Sequence, residues 1–291
     1  MREDGRVTSA IRPLPPGALS GSRTTRVIAT DLDGTLLRDD KTVSPRTVAA
    51  LAAAEEAGID VLFVTGRPTR WMHVVSGHTA RHGVAICANG AAVYDLHNDT
   101  VLQAYPLPEA RALAVVAALR EAVPGSSFAV ERLGGFHHEP GYPPLDPGPD
   151  AVVAPVEELL AVDEAAPVLK LLAKHPAIDP DEFLAAARAA AGEHAEFTRS
   201  SPSALLEVSG QGVSKASTLA RWCRQRGVRQ EEVVAFGDMP NDLPMLGWAG
   251  TAYAVANAHP EVLAATVHHT AANEQDGVAV VIERILAGLA G

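Results

Sequence analysis

Short apolar runs that end in polar residues recur along the first third of the chain. They lie at residues 27–30, 59–65 and 83–90. Near-continuous apolar runs of this length are typical of parallel strands that are buried on both faces. Between the first two runs, Ser44 suits a helix N-cap, Pro45 suits the first helical position and Gly58 ends the segment. The pattern therefore predicts a strand, a helix and a second strand in succession.

The last third of the chain repeats this alternation. We predict helices over 213–227, 241–248 and 276–290, strands over 231–238 and 251–257, and a short strand around Val267. Strands that alternate with helices indicate a mostly parallel sheet with helices on both faces. The sequence thus predicts an α/β fold with a doubly wound sheet.

The middle of the chain has a different texture and predicts an inserted domain. Its predicted helices are 108–123 and 179–192, its extended segments 126–132, 166–175 and 193–201, and its loop, rich in proline and glycine, is 137–150. We expect residues 105–199 to form a smaller inserted α/β cap domain. Residues 25–104 and 200–291 would form the core, and residues 1–24 a flexible extension.

Charge and composition exclude several classes of partner. The formal net charge is −11, and no basic stripe is present to neutralise a nucleic-acid backbone. No apolar run reaches the length of about 18 residues that a membrane span needs. The two cysteines, Cys87 and Cys223, lack CxxC spacing, so we expect them to be buried and reduced. These features favour a cytoplasmic protein without a nucleic-acid or membrane partner.

Polar residues directly follow three of the predicted strands. Asp31 and Asp33 follow the first strand, Thr65 and Gly66 follow the second, and Asp238 follows a strand near the C-terminus. The carboxyl ends of parallel strands border the ligand crevice of such a sheet. We therefore expect these side chains to meet at one edge.

The acidic side chains that would meet there need a cation. They are Asp31, Asp33, Asp238 and Asp242. Mg²⁺ prefers a few carboxylates together with waters and a substrate phosphate oxygen. Lys215 adds a compact positive charge suited to phosphate, while Thr65 and Asn241 offer hydrogen bonds. The combination indicates phosphoryl transfer.

Four motifs resemble those of the haloacid dehalogenase (HAD) superfamily. They are DLDGT at 31–35, TGR at 65–67, SK at 214–215 and GDMPNDLPML at 237–246. The large insert between the second and third motifs is similar to the Cof-type phosphatase branch, as are ANGAAVYD at 88–95 and ANEQDGVAVVIERIL at 272–286. The resemblance covers residues 25–105 and 200–291. It implies a Rossmann-like core with a cap, and a Mg²⁺-dependent phosphatase acting on a small phosphorylated metabolite.

The resemblance also implies a role for each matching residue. Asp31 would attack phosphorus to form an aspartyl-phosphate, and Asp33 would serve as general acid and then base, with its carboxyl group free to carry a proton. Mg²⁺ would bind the carboxylates of Asp31 and Asp238 and the backbone carbonyl of Asp33. The phosphate- or substrate-binding residues would be Thr65, Gly66, Lys215 and Asn241, with Asp242 orienting Lys215 or a metal-bound water.

Two other functions stay open at this point. A phosphomutase would pass the phosphoryl group from Asp31 to a second substrate hydroxyl instead of to water. A non-catalytic module would only sense a phosphorylated metabolite, although the intact set of Asp31, Asp33, Lys215 and Asp238 favours catalysis. For a phosphatase, the expected substrates are sugar phosphates or phosphorylated cofactors.

Several further residues favour structural roles. His137–His138 and His268–His269 have no other histidine or cysteine at zinc-like spacing. Arg67 could form a structural ion pair or contact substrate, and Asn89 is typical of a turn residue but lies near the predicted crevice. The remaining candidates are Arg132, His137 and Arg199, which could reach the site from the cap, and Trp71, Trp222 and Trp248, which we expect in the core or an interface.

Overall fold

The computed structural model describes residues 25–76, 83–143, 151–161, 166–200 and 203–289. Its strands are β1 (Val27–Thr30), β2 (Asp60–Val64), β3 (Val84–Cys87), β4 (Ala92–Asp95), β5 (Thr100–Ala104), β6 (Ser127–Arg132), β7 (Gly135–His138), β8 (Val168–Lys174), β9 (Glu196–Thr198), β10 (Leu205–Ser209), β11 (Val233–Gly237), β12 (Thr251–Val255) and β13 (His268–Thr270). Its helices are α1 (Pro45–Glu56), α2 (His73–Ser76), α3 (Glu109–Ala122), α4 (Val156–Ala161), α5 (Pro180–Ala191), α6 (Lys215–Gln225), α7 (Leu243–Trp248), α8 (Pro260–Ala265) and α9 (Gly277–Leu289). The predicted extension, 1–24, lies outside the described residues.

The larger sheet, here called the core sheet, has the strand order β13-β12-β11-β1-β2-β3-β4-β5. Every pair from β13 to β3 is parallel, whereas β4 and β5 pair antiparallel at one edge. Strands from both ends of the chain therefore interleave, because β11 lies directly beside β1. The predicted α/β class with a doubly wound, mostly parallel sheet is confirmed.

Helices cover both faces of the core sheet because its central strands are apolar throughout. On one face, Ile28 packs with Leu51 of α1 and Ile282 of α9. On the other face, Val27 packs with Leu219 of α6. Side chains alternate between the two faces of a strand, so neighbouring residues of β1 serve two separate apolar clusters.

The second sheet, here called the cap sheet, has the strand order β7-β6-β8-β10-β9 and is antiparallel throughout. One face packs against α3, α4 and α5 through a cluster that includes Phe128 and Phe183. The other face carries a smaller apolar group around Phe136 and Leu172. The chain enters this unit after Tyr105, since the Tyr105 amide bonds to Ala91 of the core and the next bonded amide, that of Leu107, bonds to Val168 of β8.

Two of the differences from the predicted boundaries concern the cap. The prediction assigned residues 200–291 to the core, but β10 pairs with β8 and β9 of the cap sheet. Strand pairing depends on the tertiary structure, and the five-residue sequence of β10 does not indicate which sheet the strand joins. The predicted loop over 137–150 is also wrong at its start, because His137 and His138 belong to β7. Its prolines and glycines begin only at Pro140, which left the two histidines free to extend the strand.

Within the described ranges, no helix combines the length and the apolar character that crossing a membrane requires.

Candidate active site

Asp31 and Asp238 meet at the carboxyl edge of the core sheet because their strands are parallel neighbours. Thr30 of β1 is paired with Phe236 of β11, and the Asp31 amide donates to the Phe236 carbonyl at 3.0 Å. Carboxylate oxygens of Asp31, Asp238 and Asp242 all lie within 4.8 Å of one another. The structure thus gathers three buried carboxylates at this edge.

A tight turn after Asp31 allows this approach. Gly34 has a φ of +78°, and a Cβ atom at this position would collide with the Asp238 carboxylate. The next residue, Thr35, donates its hydroxyl to Asp238 Oδ1 at 2.9 Å. The Gly-Thr pair of the first motif therefore lets the two strand ends touch and orients the second carboxylate.

Lys215 supplies the positive charge among these carboxylates. It is the first residue of α6, whose start is fixed by a capping box between Ser214 and Ser217. Its Nζ atom donates to Asp31 Oδ1 and to Asp242 Oδ1, both at 2.6 Å, and the side chain is 2% exposed. One ammonium group is therefore shared between two carboxylates.

Asp242 holds the loop after β11 as well as Lys215. Its Oδ2 atom accepts the backbone amides of Asp238 and Met239, each at 3.1 Å. Since Oδ1 accepts from Lys215, both oxygens of the Asp242 carboxylate accept hydrogen bonds from the protein. Asp31 and Asp238 retain more capacity for a ligand.

The protonation of the cluster reflects an excess of negative charge. Burial raises the pKa of Asp31 well above its usual value; the charge of Lys215 opposes this shift, and the charges of Asp242 and Asp238 add to it. Burial and the charge of Asp242 raise the pKa of Asp238 to about 6. Burial alone would lower the pKa of Lys215, but Asp242 and Asp31 raise it, so the ammonium stays charged. Three carboxylates with one ammonium leave room for a further cation.

This donor set fits a hard divalent metal ion. Carboxylate oxygens are the ligands such ions prefer, and a bound cation would favour the ionised form of Asp238, whose pKa is raised by burial and by Asp242. Asn241 lies beside the cluster with a buried Oδ1 atom that has no hydrogen-bond partner. The residues present can therefore hold a metal ion together with an oxygen-bearing ligand.

The loop after β2 carries Thr65, Gly66 and Arg67, and the turn after β3 holds it in place. The Asn89 amide donates to the Thr65 carbonyl at 3.0 Å, and the Ala88 amide donates to the Arg67 carbonyl at 2.8 Å. Ala88 and Asn89 both adopt left-handed backbone conformations, with φ of 50° and 56°. Such conformations are costly for residues other than glycine, so the surrounding contacts must enforce this turn.

Asp33 is paired, not free. Its carboxylate accepts two hydrogen bonds from Arg67, at 2.5 and 2.7 Å, and lies 3.0 Å from Lys41 Nζ. Partial burial would raise the pKa of Asp33, but the Arg67 hydrogen bond and charge, helped by Lys41, lower it. The ion pair that was left open for Arg67 is thus present, because Arg67 follows Thr65 and Gly66 on the adjacent strand end.

A cavity of about 270 Å³ lies between the carboxylates and the cap sheet. Its floor includes Asp31, Asp33, Thr65, Gly66, Arg67, Lys215 and Asn241, and its ceiling on the cap includes Glu131, Phe136, Lys170, Leu172, Leu205 and Glu207. Arg70 and Trp71 form part of one wall. A small ligand at the carboxylates would thus be covered by the cap.

Two asparagines link the floor to the ceiling. Asn89 donates to Glu207 Oε2 at 2.6 Å and accepts a long hydrogen bond of 3.4 Å from Asn241. The structure therefore places Asn89 between the cap and the loop after β11. It lies at the site, although it is absent from the residues that line the cavity.

The other candidates lie elsewhere. Arg132 donates to the carbonyls of Leu159, Leu160 and Ala166, and Arg199 pairs with Asp181. The four histidines at 137, 138, 268 and 269 bond to backbone groups or stack on aromatic rings. Trp222 and Trp248 pack in an apolar cluster, and Cys87 and Cys223 are buried free thiols. Trp71 does not lie in the core, since it is 41% exposed and lines the cavity.

The charged residues of the ceiling were missed by the sequence analysis. They are Glu131, Lys170 and Glu207. Lys170 and Glu207 each follow two apolar residues in a mostly apolar strand, VLKLLAK and LLEVS, whereas Glu131 lies next to Arg132 in SFAVER. A buried charge needs a partner, so an isolated charge in an apolar strand was the available signal for Lys170 and Glu207.

Comparisons with known proteins agree with this geometry. The family model for haloacid dehalogenase-like hydrolases matches residues 28–282. The chain is 34% identical to the pyridoxal phosphate phosphatase YbhA of Escherichia coli over 257 residues, covering 83% of this chain and 91% of the relative. It is 29% identical to 5-amino-6-(5-phospho-D-ribitylamino)uracil phosphatase YitU of Bacillus subtilis, covering 87% of this chain and 94% of the relative.

A solved structure has the same fold. The phosphatase BT1666 of Bacteroides thetaiotaomicron superposes with a TM-score of 0.75 at 24% identity, covering 95% of this chain and 99% of that chain. The predicted enzyme class, a phosphoric monoester hydrolase, is confirmed by the family match and by relatives that are named phosphatases. The chain belongs to the haloacid dehalogenase-like hydrolases, in their Cof-type phosphatase branch.

Proposed function

We propose that this chain hydrolyses small phosphate monoesters in a Mg²⁺-dependent reaction that passes through an aspartyl-phosphate on Asp31. One observation carries the proposal. The Asp31 carboxylate lies on the floor of a covered cavity, 2.6 Å from Lys215 Nζ and within a group of three buried carboxylates. A nucleophile, a fixed cation and a place for a metal ion are together there.

In the first step, an Asp31 oxygen attacks phosphorus and the ester P–O bond breaks. The leaving oxygen takes a proton from Asp33, which is then a carboxylate. In the second step, water gives a proton to Asp33 and attacks phosphorus, and the bond to Asp31 breaks. Phosphate and the alcohol are released, and both aspartates return to their starting states.

Asp31, Asp238 and the backbone carbonyl of Asp33 would hold the metal ion. When bound, Mg²⁺ supplies positive charge that keeps the aspartates ionised and neutralises charge on the phosphoryl oxygens. Lys215 neutralises part of the same charge from the protein side. The Thr65 hydroxyl, the Gly66 amide and Asn241 would donate hydrogen bonds to the phosphoryl oxygens.

The Arg67–Asp33 pair would respond to the substrate. A phosphate dianion competes for the Arg67 guanidinium, since a planar guanidinium binds phosphate and carboxylate in the same two-pronged way. Loss of Arg67 would let the pKa of Asp33 rise, because partial burial by itself raises it. Asp33 could then carry the proton that the leaving oxygen needs.

The cavity favours a phosphorylated cofactor with an aromatic ring over a sugar phosphate. Phe136, Leu172 and Leu205 of the ceiling and Trp71 of the wall give an aromatic ring an apolar surface to pack on, beside the charged groups of the ceiling. The relative of 34% identity is named a pyridoxal phosphate phosphatase, which matches this lining. We therefore propose pyridoxal 5′-phosphate as the first substrate to test.

The test is a phosphate-release assay on pyridoxal 5′-phosphate, sugar phosphates and other metabolites with Mg²⁺. We expect turnover that disappears in EDTA and in Asp31→Asn, since the amide cannot attack phosphorus. Activity retained by Asp31→Asn would overturn the covalent mechanism, and activity retained in EDTA would overturn the metal dependence. Formation of a phosphate isomer without free phosphate would identify a phosphomutase, and binding without any turnover would identify a sensor.

A further inference from the structure

Three successive backbone carbonyls of the loop after β2 are fixed by different parts of the molecule. The Thr65 and Arg67 carbonyls accept amides of Asn89 and Ala88, which belong to the core. The carbonyl between them, that of Gly66, accepts a hydrogen bond from Lys170 Nζ at 2.9 Å. Lys170 lies on β8 of the cap sheet, so the cap supplies the contact that the core does not.

The Gly66 carbonyl belongs to the same peptide plane as the Arg67 amide. In a trans peptide these two groups point in opposite directions, so fixing the oxygen also fixes the N–H. The Arg67 amide donates to Thr65 Oγ1 at 3.1 Å. Accepting this hydrogen bond uses a lone pair and orients the hydroxyl, whose proton is still available to donate into the cavity.

Lys170 is itself held by the cap. Its Nζ atom lies 2.8 Å from Glu207 Oε1, and the two side chains are 4% and 9% exposed. Glu207 uses its other oxygen to accept from Asn89 of the core at 2.6 Å. The pair therefore clamps the loop after β2 and the turn after β3 at the same time.

Burial of an ion pair is weak support for stability, because the desolvation of both charges opposes their attraction. Two apolar residues in a packed sheet would do as well for folding alone. The contact of Lys170 with the phosphate-binding loop therefore calls for a role in function.

We propose that Lys170 is a positioning residue of the cap, which fixes the Gly66–Arg67 peptide and thereby aims the Thr65 hydroxyl at the phosphoryl group. The inference rests on the proposed function, since it assigns Thr65 and Gly66 to phosphate binding. It means that the cap completes the phosphate site in addition to covering it. Lys170 acts through the loop and does not recognise the leaving group.

The test compares Lys170→Met with Lys174→Met. Lys174 lies on the same strand and, by the alternation of side chains, on the same face, but it does not line the cavity. We measure kcat/KM with Mg²⁺ on p-nitrophenyl phosphate, pyridoxal 5′-phosphate and glucose 6-phosphate. Lys170→Met should lower kcat/KM by about 10²-fold on all three substrates, because a small misplacement of a group that binds the phosphoryl oxygens lowers the rate by about this factor. Lys174→Met should change none of them.

A double variant separates positioning from stability. Lys170→Met/Glu207→Leu removes both charges, so it should fold at least as well as the unmodified chain, yet it still lacks the Gly66 contact. We expect its activity to stay as low as that of Lys170→Met. Calorimetric titration with inorganic phosphate and Mg²⁺ gives a readout without turnover, and we expect weaker phosphate binding in both variants.

Three results would overturn the proposal. The first is that Lys170→Met keeps kcat/KM and phosphate affinity within about threefold of the unmodified chain. The second is that it loses activity on only one substrate. The third is that activity returns when Glu207 is also replaced. The second result would mean that Lys170 contacts the leaving group, and the third that the pair only balances charge. An unmodified chain that hydrolyses none of the three esters would instead overturn the proposed function.

Discussion

The floor and the ceiling of the cavity are both charged, but their charges are balanced differently. On the floor, the ammonium of Lys215 contacts two of the three clustered carboxylates, those of Asp31 and Asp242. On the ceiling, Glu207 is paired with Lys170, and Glu131 is paired with Arg70 of the wall. The carboxylate cluster of the floor therefore has an excess of negative charge, whereas the charges of the ceiling are balanced once Arg70 of the wall is included.

The pKa values of Asp238 and Glu207 follow this difference. Burial and neighbouring carboxylates raise the pKa of Asp238 to about 6. Burial would also raise the pKa of Glu207, but the charge and hydrogen bond of Lys170 outweigh it and the pKa is lowered. A site that must take up a metal ion and a phosphate benefits from unbalanced charge, and a surface that only positions a loop benefits from balance. The comparison assigns binding and chemistry to the floor and alignment to the ceiling.

The largest effect should come from removing the cation of the floor. Lys215→Met is expected to lower kcat/KM by about 10³-fold, since it removes a fixed charge at the developing phosphoryl charge. Steady-state phosphate release measures this loss. Arg224→Met, an exposed position on the same helix, is the control and should have normal activity. If Lys215→Met kept a tenth of the activity, catalysis would not depend strongly on the ammonium group of Lys215.

The pH dependence of stability should have opposite signs on the two sides. In EDTA, the raised pKa of Asp238 stabilises the fold at low pH, and this contribution of at most about 3 kcal/mol is lost as pH rises from about 4 to about 6. The lowered pKa of Glu207 stabilises the fold above the usual glutamate pKa, and that contribution is lost as pH falls through its own pKa.

Urea unfolding at a series of pH values, with EDTA present, measures both contributions. Asp238→Asn should reduce the loss of stability between about pH 4 and 6, to which Asp31 also contributes, and should leave the acid side unchanged. Glu207→Gln should flatten the acid side alone. The same profile in both variants would contradict the contrast between floor and ceiling. Added Mg²⁺ should stabilise the unmodified chain, because the ion binds the folded cluster.

The smallest effect should concern the choice of leaving group. Phe136→Leu keeps an apolar ceiling but removes a ring, so kcat/KM on pyridoxal 5′-phosphate should fall by about threefold to tenfold while glucose 6-phosphate changes little. Phe128→Leu, on the opposite face of the same sheet, is the matched control and should leave the ratio of the two substrates unchanged. An equal loss on both substrates would show that the ring of Phe136 does not select the leaving group.

Local chemistry in the sequence accounts for the core sheet and the floor. Apolar runs such as 59–65 predicted buried parallel strands, and the polar residues after them predicted where the ligand edge lies. Asp31 and Asp238 are far apart in the chain, yet both follow a strand of the same sheet, so parallel pairing alone brings them together. Ser44 and Ser214 as helix caps likewise act within a few residues of themselves.

What only the tertiary structure decided are contacts between distant elements. Three examples depend on how segments distant in sequence pack together. They are the pairing of β10 with the cap sheet, the ion pair of Asp33 with Arg67, and the contact of Lys170 with the Gly66 carbonyl. The sequence determined which residues are apolar, which end a strand and which carry charge, because those properties are local. It left open which charge finds which partner, since a long side chain can reach any of several neighbours and packing selects among them.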